Sequence, residues 1–146
     1  MTLYVLDTDH VSLSQREQPF VLQRMAAAGR HSLATTIITV EEQISGRFAV
    51  IKRASVGEKL IWAYQDLEHT LGYFTTLAVL SFTAGANRQY EALRRQKIRI
   101  GTQDLRIAAI VLSINGMLVT RNWKDFQQEV RHLLEDWSLP LRNNYQ

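Results

Sequence analysis

Two carboxylates follow the first apolar segment of the chain, within the sequence VLDTDHVSL at positions 5–13. The apolar run that ends at Leu6 predicts a buried strand, because near-continuous apolar residues suit a parallel strand covered on both faces. Asp7 ends that strand, and Asp9 follows two residues later. A buried charge is costly unless it is paired or binds a metal. Neither cap nor turn chemistry explains Asp7 there, so we expect it to be functional.

Later segments place further carboxylates where a parallel sheet would bring them to the same edge. Glu42 lies in the predicted first turn of the helix after strand two, and Asp104 begins the helix that leads into strand four. Asp125 follows strand four, together with Thr120 and Asn122. Ligands bind beyond the carboxyl ends of the strands in such sheets. We therefore expect four acids from four segments to converge at this edge.

The donor atoms at this edge are oxygens, and this favours a hard cation. Clustered carboxylates repel one another unless a cation neutralises them, and oxygen ligands suit Mg²⁺ or Mn²⁺. The chain has no cysteine, which excludes disulfides and thiolate metal sites. Its four histidines are scattered without ligand spacing, and we interpret them as structural or surface residues. These residue types predict a Mg²⁺ or Mn²⁺ site.

Each acid other than Asp7 also has a structural interpretation. Glu42 stands three residues after Thr39, which is the spacing of a capping box. Asp104 lies in a predicted first helical turn, where a carboxylate favours the helix dipole. Asp125 precedes an aromatic residue and can be an ordinary loop residue. The metal site is therefore supported by the convergence of the segments more than by any single acid.

The composition is that of one globular domain of 146 residues, with 46% hydrophobic and 21% charged residues. Apolar and β-branched runs predict strands at 2–6, 33–38, 77–82, 117–120 and 132–137. Periodic patterns predict helices at 10–16, 19–28, 84–97 and 102–115, and a helical hairpin over about 39–72. Strands alternating with helices predict an α/β domain with a mostly parallel sheet of four or five strands.

The first residues, the length of the apolar runs and the net charge predict the location of the protein and its kind of partner. The start lacks a basic segment and meets an acid at position 7, so we expect no signal peptide. No apolar run approaches the roughly 18 residues of a membrane span, and we expect a cytoplasmic protein without a membrane partner. The net charge of +3 favours an anionic partner. Much of the surplus lies at 94–99, as either a phosphate-binding patch or a solvated helix end.

The chain resembles the PIN-domain ribonucleases, specifically the VapC-type toxins of bacterial toxin–antitoxin pairs. The resemblance covers residues 3–137 and rests on four segments in order: LDTD (6–9), TVEEQISG (39–46), GTQDLRIAA (101–109) and LVTRNWKDF (118–126). In the second segment, the Thr-x-x-Glu…Gly spacing selects Glu42 rather than Glu41. The resemblance implies a single PIN domain over 1–146, with a three-layer α/β/α fold around the central sheet and the helical hairpin.

The resemblance also implies an activity, which is the endonucleolytic hydrolysis of RNA by water that Mg²⁺ or Mn²⁺ activates. In many members of the family the substrate is tRNA or rRNA. It assigns catalysis and metal binding to Asp7, Glu42, Asp104 and Asp125. The chain departs from the family pattern with Asp9, where asparagine is common, and with Asn122, where many members have an acid. We therefore expect Asp125 to complete the site, with Asn122 positioning it or a water. We expect Thr120 to support Asp7 by a hydrogen bond.

Partners follow from the same resemblance. Residues expected to contact RNA are basic or aromatic: Arg94, Arg95, Lys97, Arg99, Arg106, Arg121 and Trp123. Trp123 suits stacking on an unpaired base, with packing in the core as its alternative. The resemblance further implies a cognate VapB-type antitoxin, for which the helical hairpin is the expected clamp, and a homodimer.

Two other classes of protein remain as alternatives. Haloacid dehalogenase-like phosphatases place D-x-D-x-[T/V] after their first strand, and residues 7–11 match it, with Asp7 as nucleophile and Asp9 as general acid. That interpretation leaves Glu42 and Asp104 without a role, and the acidic pair it needs falls at 135–136, in a predicted strand. The second alternative is a PIN-like module that binds RNA or a partner without cutting it, although here the acids are present.

Overall fold

Strands and helices alternate along the chain in the computed structural model, which describes residues 2–126 and 128–140. The strands are β1 (Tyr4–Leu6), β2 (Leu33–Thr36), β3 (Ala78–Leu80), β4 (Met117–Val119) and β5 (Leu134–Glu135). The helices are α1 (Thr8–Gln15), α2 (Pro19–Ala28), α3 (Ile37–Ala54), α4 (Glu58–Tyr73), α5 (Ala84–Arg95) and α6 (Thr102–Ser113). None of the helices in these two ranges is long and apolar enough to cross a membrane.

The five strands form one sheet in the order β3-β2-β1-β4-β5. Every neighbouring pair is parallel, which confirms the predicted sheet. In the centre, Tyr4 of β1 lies opposite Leu33 of β2 and Met117 of β4. The chain winds outward from β1 to β3 on one side and from β4 to β5 on the other. The carboxyl ends of β1 and β4 therefore flank a topological switch point, the usual ligand position in such sheets.

Helices cover both faces of the sheet, which confirms the three-layer α/β/α architecture. Val5 of β1 packs into a core that includes Ile107 and Ile110 of α6. The next residue, Leu6, packs into a second core with Val11 of α1 and residues of α2. Successive strand side chains point to opposite faces. The apolar run of β1 is thus buried on both sides and fixes the point at which the acidic segment begins.

Two helix starts differ from the sequence prediction because of their caps. Strand β2 ends at Thr36, which caps α3 by accepting a hydrogen bond from the backbone N–H of Thr39 at 3.3 Å. Thr39 is thus already inside the helix, and the capping box with Glu42 is not formed. Helix α1 begins at Thr8, two residues early, because the Asp7 side chain caps it. The sequence-based statement that cap chemistry does not explain Asp7 was therefore wrong. Glu42 is left without a capping role.

The other differences lie at element ends. Helices α5 and α6 end two residues earlier than predicted, and Lys97 and Asn115 just beyond them adopt left-handed φ values of 54° and 55°. A 3₁₀ turn over Gln128–Leu133 occupies the predicted start of β5, which has only two residues. The hairpin, by contrast, has the predicted form, because α3 and α4 are separated at 55–57, where Gly57 has a φ of 80°.

The packing against β1 makes a first prediction about stability. Ile110 is 1% exposed in the core, whereas Ile114 at the end of α6 is 43% exposed. The Ile110→Ala variant should lose about 2–5 kcal/mol of unfolding free energy, because it leaves a cavity. The Ile114→Ala variant should lose less than half of that. Urea unfolding at equal protein concentration measures both, and equal losses would contradict the assigned core.

Candidate active site

Asp7 lies at the junction of β1 and α1, and its backbone N–H donates to the carbonyl of Val119 in β4 at 3.1 Å. The residue is only 5% exposed. Its Oδ1 accepts from the backbone N–H of His10 at 2.8 Å and lies 3.1 Å from the Nδ1 of the same residue. Its Oδ2 makes no hydrogen bond within residues 2–126 and 128–140. One oxygen of a nearly buried carboxylate is therefore available to a ligand.

Hydrogen bonds between helices bring α3 and α6 to the start of α1. Thr8 Oγ1 donates to Glu42 Oε1 at 2.6 Å, which joins α1 to α3. Gln103 Nε2 donates to Glu41 Oε1 at 2.8 Å, which joins α6 to α3. Asp104 directly follows Gln103 in the first turn of α6. The carboxylates of α3 and α6 thus stand beside the segment that follows β1.

Asp104 is half-buried and lies close enough to Asp7 and Glu42 for their charges to act on it. Burial raises the pKa of Asp104, and the negative charges of Asp7 and Glu42 raise it further. Asp9 adds a smaller effect in the same direction, while a hydrogen bond from Asn122 lowers the pKa. Asn122 Nδ2 donates to Asp104 Oδ2 at 3.1 Å. Asp104 therefore ionises in a negative field that raises its pKa.

Arg121 is paired with Asp9, and among the described residues no other lysine or arginine forms an ion pair with an acid of this group. Over the two described ranges, no lysine or arginine forms an ion pair with Asp7, Glu42 or Asp104. The donor atoms are carboxylate oxygens, with an amide nearby, and several of these oxygens are unbonded. Such a set fits Mg²⁺ or Mn²⁺, which prefer oxygen ligands and would remove the repulsion.

A second group of possible metal ligands is less suitable. Asp7, Asp9 and His10 each offer one atom, and these atoms lie within 4.8 Å of one another. Both ring nitrogens of His10 are already engaged, one with Asp7 and one with the backbone N–H of Trp137. Asp9 is paired with Arg121. Among the described residues, the oxygens of Asp7, Glu42 and Asp104 do not all lie within 4.8 Å of one another, but each of these acids keeps one oxygen without a hydrogen bond.

The pairing with Arg121 also gives Asp9 a physical role. Arg121 Nε donates to Asp9 Oδ2 at 2.5 Å, and its second nitrogen donates to Oδ1 at 2.8 Å. The hydrogen bond with Asp9 raises the pKa of Arg121. The ion pair ties the first turn of α1 to the segment after β4. Arg121, expected to contact RNA, is thus held by a carboxylate of its own chain.

The segment after β4 places its three candidate residues in different surroundings. Thr120 is buried, and its Oγ1 accepts from the backbone N–H of Asn122 at 3.1 Å. The hydrogen bond expected from Thr120 to Asp7 is not among those of the described residues, where the Thr120 hydroxyl contacts the turn after the strand. Asn122 contacts Asp104. Asp125 lies exposed on a 3₁₀ turn and is not among the charges that shift the pKa of Asp104.

The residues of the basic stretch lie at the exposed end of α5 and in the connection to α6: Arg94, Arg95, Lys97 and Arg99. That connection leads directly into the helical turn that carries Asp104. Two guanidinium groups lie over the ring of Tyr90, with Arg106 at 5.5 Å and Arg94 at 5.7 Å from its centroid. Arg94 of α5 and Arg106 of α6 therefore share one aromatic side chain.

Trp123 is not a core residue, because it is 36% exposed. Lys124 Nζ and the Arg131 guanidinium lie 5.5 Å and 5.6 Å from its ring centroid. An exposed indole with two cations near it suits cation–π contact. Core packing, the alternative considered for Trp123, is excluded.

Sequence reasoning missed Thr8 and His10, which hold the carboxylates of Glu42 and Asp7. A signal was present in the sequence LDTDH. A polar residue stands beside Asp7 at the start of a helix, and a histidine stands three residues after it. Three residues is the spacing at which a capping side chain meets a first-turn N–H. The ring contacts of His10 are not contained in that pattern.

Comparisons with known proteins agree with this fold. No protein-family model matches the chain. Ribonuclease VapC1 of Haemophilus influenzae strain R2866 is 28% identical over 140 residues, which cover 93% of this chain and 98% of that protein. The resemblance to the VapC-type PIN-domain proteins is confirmed. It extends over nearly the whole length of both chains.

Solved VapBC structures give the same fold. VapBC2 from Rickettsia felis, bound to a DNA fragment from its promoter, superposes with a TM-score of 0.72 at 22% identity, covering 93% of this chain and 99% of that one. VapBC-1 from nontypeable Haemophilus influenzae gives a TM-score of 0.68 at 24% identity, covering 94% and 100%. The VapC-like fold is therefore complete from the first strand to the last.

Repulsion among these acids makes a second prediction. In EDTA, Asp104→Asn should raise the unfolding temperature by about 1–4 °C, because it removes a charge disfavoured in the folded state. A raised pKa means that protonation relieves the same repulsion. The advantage of the variant should therefore shrink as the pH falls from neutral towards the unfolded value near 4.

The matched control is Asp9→Asn, which also neutralises an acid of this region. Arg121 already compensates Asp9, so its replacement should leave the unfolding temperature unchanged or slightly lower. Calorimetric scans at several pH values measure both variants. Equal gains from both, or a loss from Asp104→Asn, would contradict the assigned field.

Proposed function

We propose that the chain is a divalent-metal-dependent endoribonuclease and the toxin of a toxin–antitoxin pair. The proposal rests on one observation. Asp7, Glu42 and Asp104, from three elements, lie close enough for their charges to act on one another, and no lysine or arginine of the described residues forms an ion pair with them. The similarity to a VapC ribonuclease supports RNA as the substrate. Transfer RNA or ribosomal RNA is the proposed substrate class. We propose that the reaction takes place in the cytoplasm, where these RNAs are used.

In this proposal, Asp7 and Asp104 hold Mg²⁺ or Mn²⁺, and Glu42 binds beside them, directly or through water. When bound, the cation lowers the pKa of the attacking water and neutralises charge on the scissile phosphate. Asp7 presents Oδ2, since Oδ1 faces His10. Glu42 presents Oε2, since Thr8 donates to Oε1. In each acid, a hydrogen bond thus holds one oxygen and leaves the other oxygen for the cation.

Asp125 completes the site in our proposal as an outer acid, one short turn beyond Asn122. Its exposure suits binding of the cation through water rather than directly. The Asp125→Asn variant should weaken Mn²⁺ binding by about 10-fold, the scale seen for outer partners of a metal. Asp66→Asn, a change of the same kind in an acid of α4 outside the proposed set, is the comparison. Titration calorimetry measures both, and equal affinities for Asp125→Asn and the wild type would remove Asp125 from the site.

The cations around Tyr90 and the exposed end of α5 form the proposed path for the RNA backbone. Arg94 and Arg106 converge on Tyr90, and Lys97 and Arg99 lie in the connection that leads to Asp104. Without a divalent ion the acids would repel a phosphodiester, so cations beside them favour its approach. Trp123 remains a candidate for stacking on an unpaired base, because its ring is partly exposed.

A VapB-type antitoxin is the proposed protein partner, and the chain is proposed to form a homodimer. The solved relatives are VapBC complexes. The hairpin of α3 and α4 exposes large apolar side chains, among them Phe48, Ile61, Trp62 and Tyr64. Apolar surface of this kind is typical of protein interfaces. It supports the hairpin as the clamp for the antitoxin.

The nuclease proposal predicts metal-dependent cleavage. The purified chain, free of antitoxin, should cut total RNA with Mn²⁺ or Mg²⁺ and lose that activity in EDTA. The Asp7→Asn variant should lose at least about 100-fold in rate, because it removes the charged ligand that the metal needs. Quantified gel electrophoresis of the RNA products measures the rates.

Asp9→Asn serves as the control, since Asp9 is paired with Arg121. In the nuclease it should retain its rate within a few-fold, whereas a phosphatase that uses Asp9 as general acid would be crippled. Equal cleavage rates for the wild type and Asp7→Asn, with either metal, would refute the nuclease proposal. Binding of RNA without cleavage would then favour the non-cleaving module.

A further inference from the structure

His10 is a fully buried histidine whose ring touches the proposed metal site. Its side chain is 0% exposed. Nδ1 lies 3.1 Å from Asp7 Oδ1, and Nε2 accepts a hydrogen bond from the backbone N–H of Trp137 at 3.2 Å. The ring therefore bridges the first strand's acid and the segment that follows β5. The contact of the ring with Trp137, which completes this bridge, has no part in the roles described above.

The bridge determines which ring nitrogen carries the proton. A backbone N–H is only a donor, so Nε2 of His10 must be the acceptor in its contact with Trp137. In a neutral imidazole the other nitrogen then carries the hydrogen, and Nδ1–H donates to Asp7 Oδ1. Asp136 Oδ1 is 3.6 Å from Nε2 and accepts instead from the N–H and hydroxyl of Ser138. The contacts are consistent with one tautomer.

We propose that His10 is the positioning residue for Asp7. Together with its own backbone N–H, the ring occupies Oδ1 of Asp7 and would leave Oδ2 for a cation. Hydrogen bonds from neighbouring groups orient metal ligands and raise their affinity. This inference rests on the proposed function, because it concerns the same acid. It adds that Trp137 holds the ring, so the segment after β5 contributes to the geometry of the site.

Two amide substitutions separate the two contacts of the ring. In His10→Asn, the amide nitrogen sits at the δ position and keeps a donor for Asp7, while the acceptor for Trp137 is lost. In His10→Gln, the amide reaches the ε position and keeps an acceptor for Trp137, while the donor to Asp7 is lost. The pair therefore distinguishes positioning of the acid from support of the fold.

The measurement is the affinity for Mn²⁺ alone, by titration calorimetry without RNA. His10→Gln should bind Mn²⁺ about 10-fold or more weakly than wild type, and His10→Asn should stay within about 3-fold. Circular dichroism and urea midpoints check that both variants fold. If both variants bind as tightly as wild type, or if His10→Asn is the weaker binder, the positioning role is overturned.

The Asp7→Asn variant in the same titration distinguishes a failure of this inference from a failure of the proposed function. Loss of Mn²⁺ binding in Asp7→Asn, with retention in His10→Gln, would refute only the role of His10. Retention of Mn²⁺ binding in Asp7→Asn would refute the metal site itself.

A second measurement needs neither metal nor variants: the ¹⁵N NMR spectrum of the His10 ring in the wild-type protein. Protonated Nδ1 with unprotonated Nε2 supports the bridge, and the reverse assignment overturns it.

Discussion

The central constraint on this molecule is the mutual repulsion of Asp7, Glu42 and Asp104. Burial raises the pKa of Asp104, the charges of Asp7 and Glu42 raise it further, and no lysine or arginine within the described ranges forms an ion pair with these acids. The fold opposes the repulsion with hydrogen bonds, which fix one oxygen of each acid through His10, Thr8 and Asn122. Burial of the two cores on either side of β1 supplies the free energy that keeps the strand ends in place. A divalent cation would relieve the repulsion.

Much of this arrangement could be predicted from the sequence, because it follows from the geometry of parallel sheets. The apolar run before Asp7 had to be a buried strand, and a crossover helix that leads into β4 had to start at the edge where β1 ends. These two rules place Asp7 and Asp104 at one edge without any contact being known. The sheet, the hairpin and the resemblance to VapC-type proteins followed from the same segments.

Other features depend on tertiary contacts that spacing does not encode. Whether Thr120 faces Asp7 or its own turn depends on a side-chain rotamer, and the hydroxyl bonds to Asn122. The partner of Asp9 is Arg121, which is distant in sequence. The capping box failed because Thr36 caps the helix three residues earlier. His10 could be recognised only once Trp137, from the far end of the chain, was seen against its ring.

The most direct test is to locate the cation. A crystal of the metal-free protein, soaked in Mn²⁺ and measured near the manganese absorption edge, gives an anomalous map that marks the ion independently of any assumed site. We predict a peak at about 2 Å, the distance typical of such oxygen ligands, from Asp7 Oδ2 and an oxygen of Asp104, with Glu42 beside it. A peak elsewhere, with none between Asp7 and Asp104, would contradict the account.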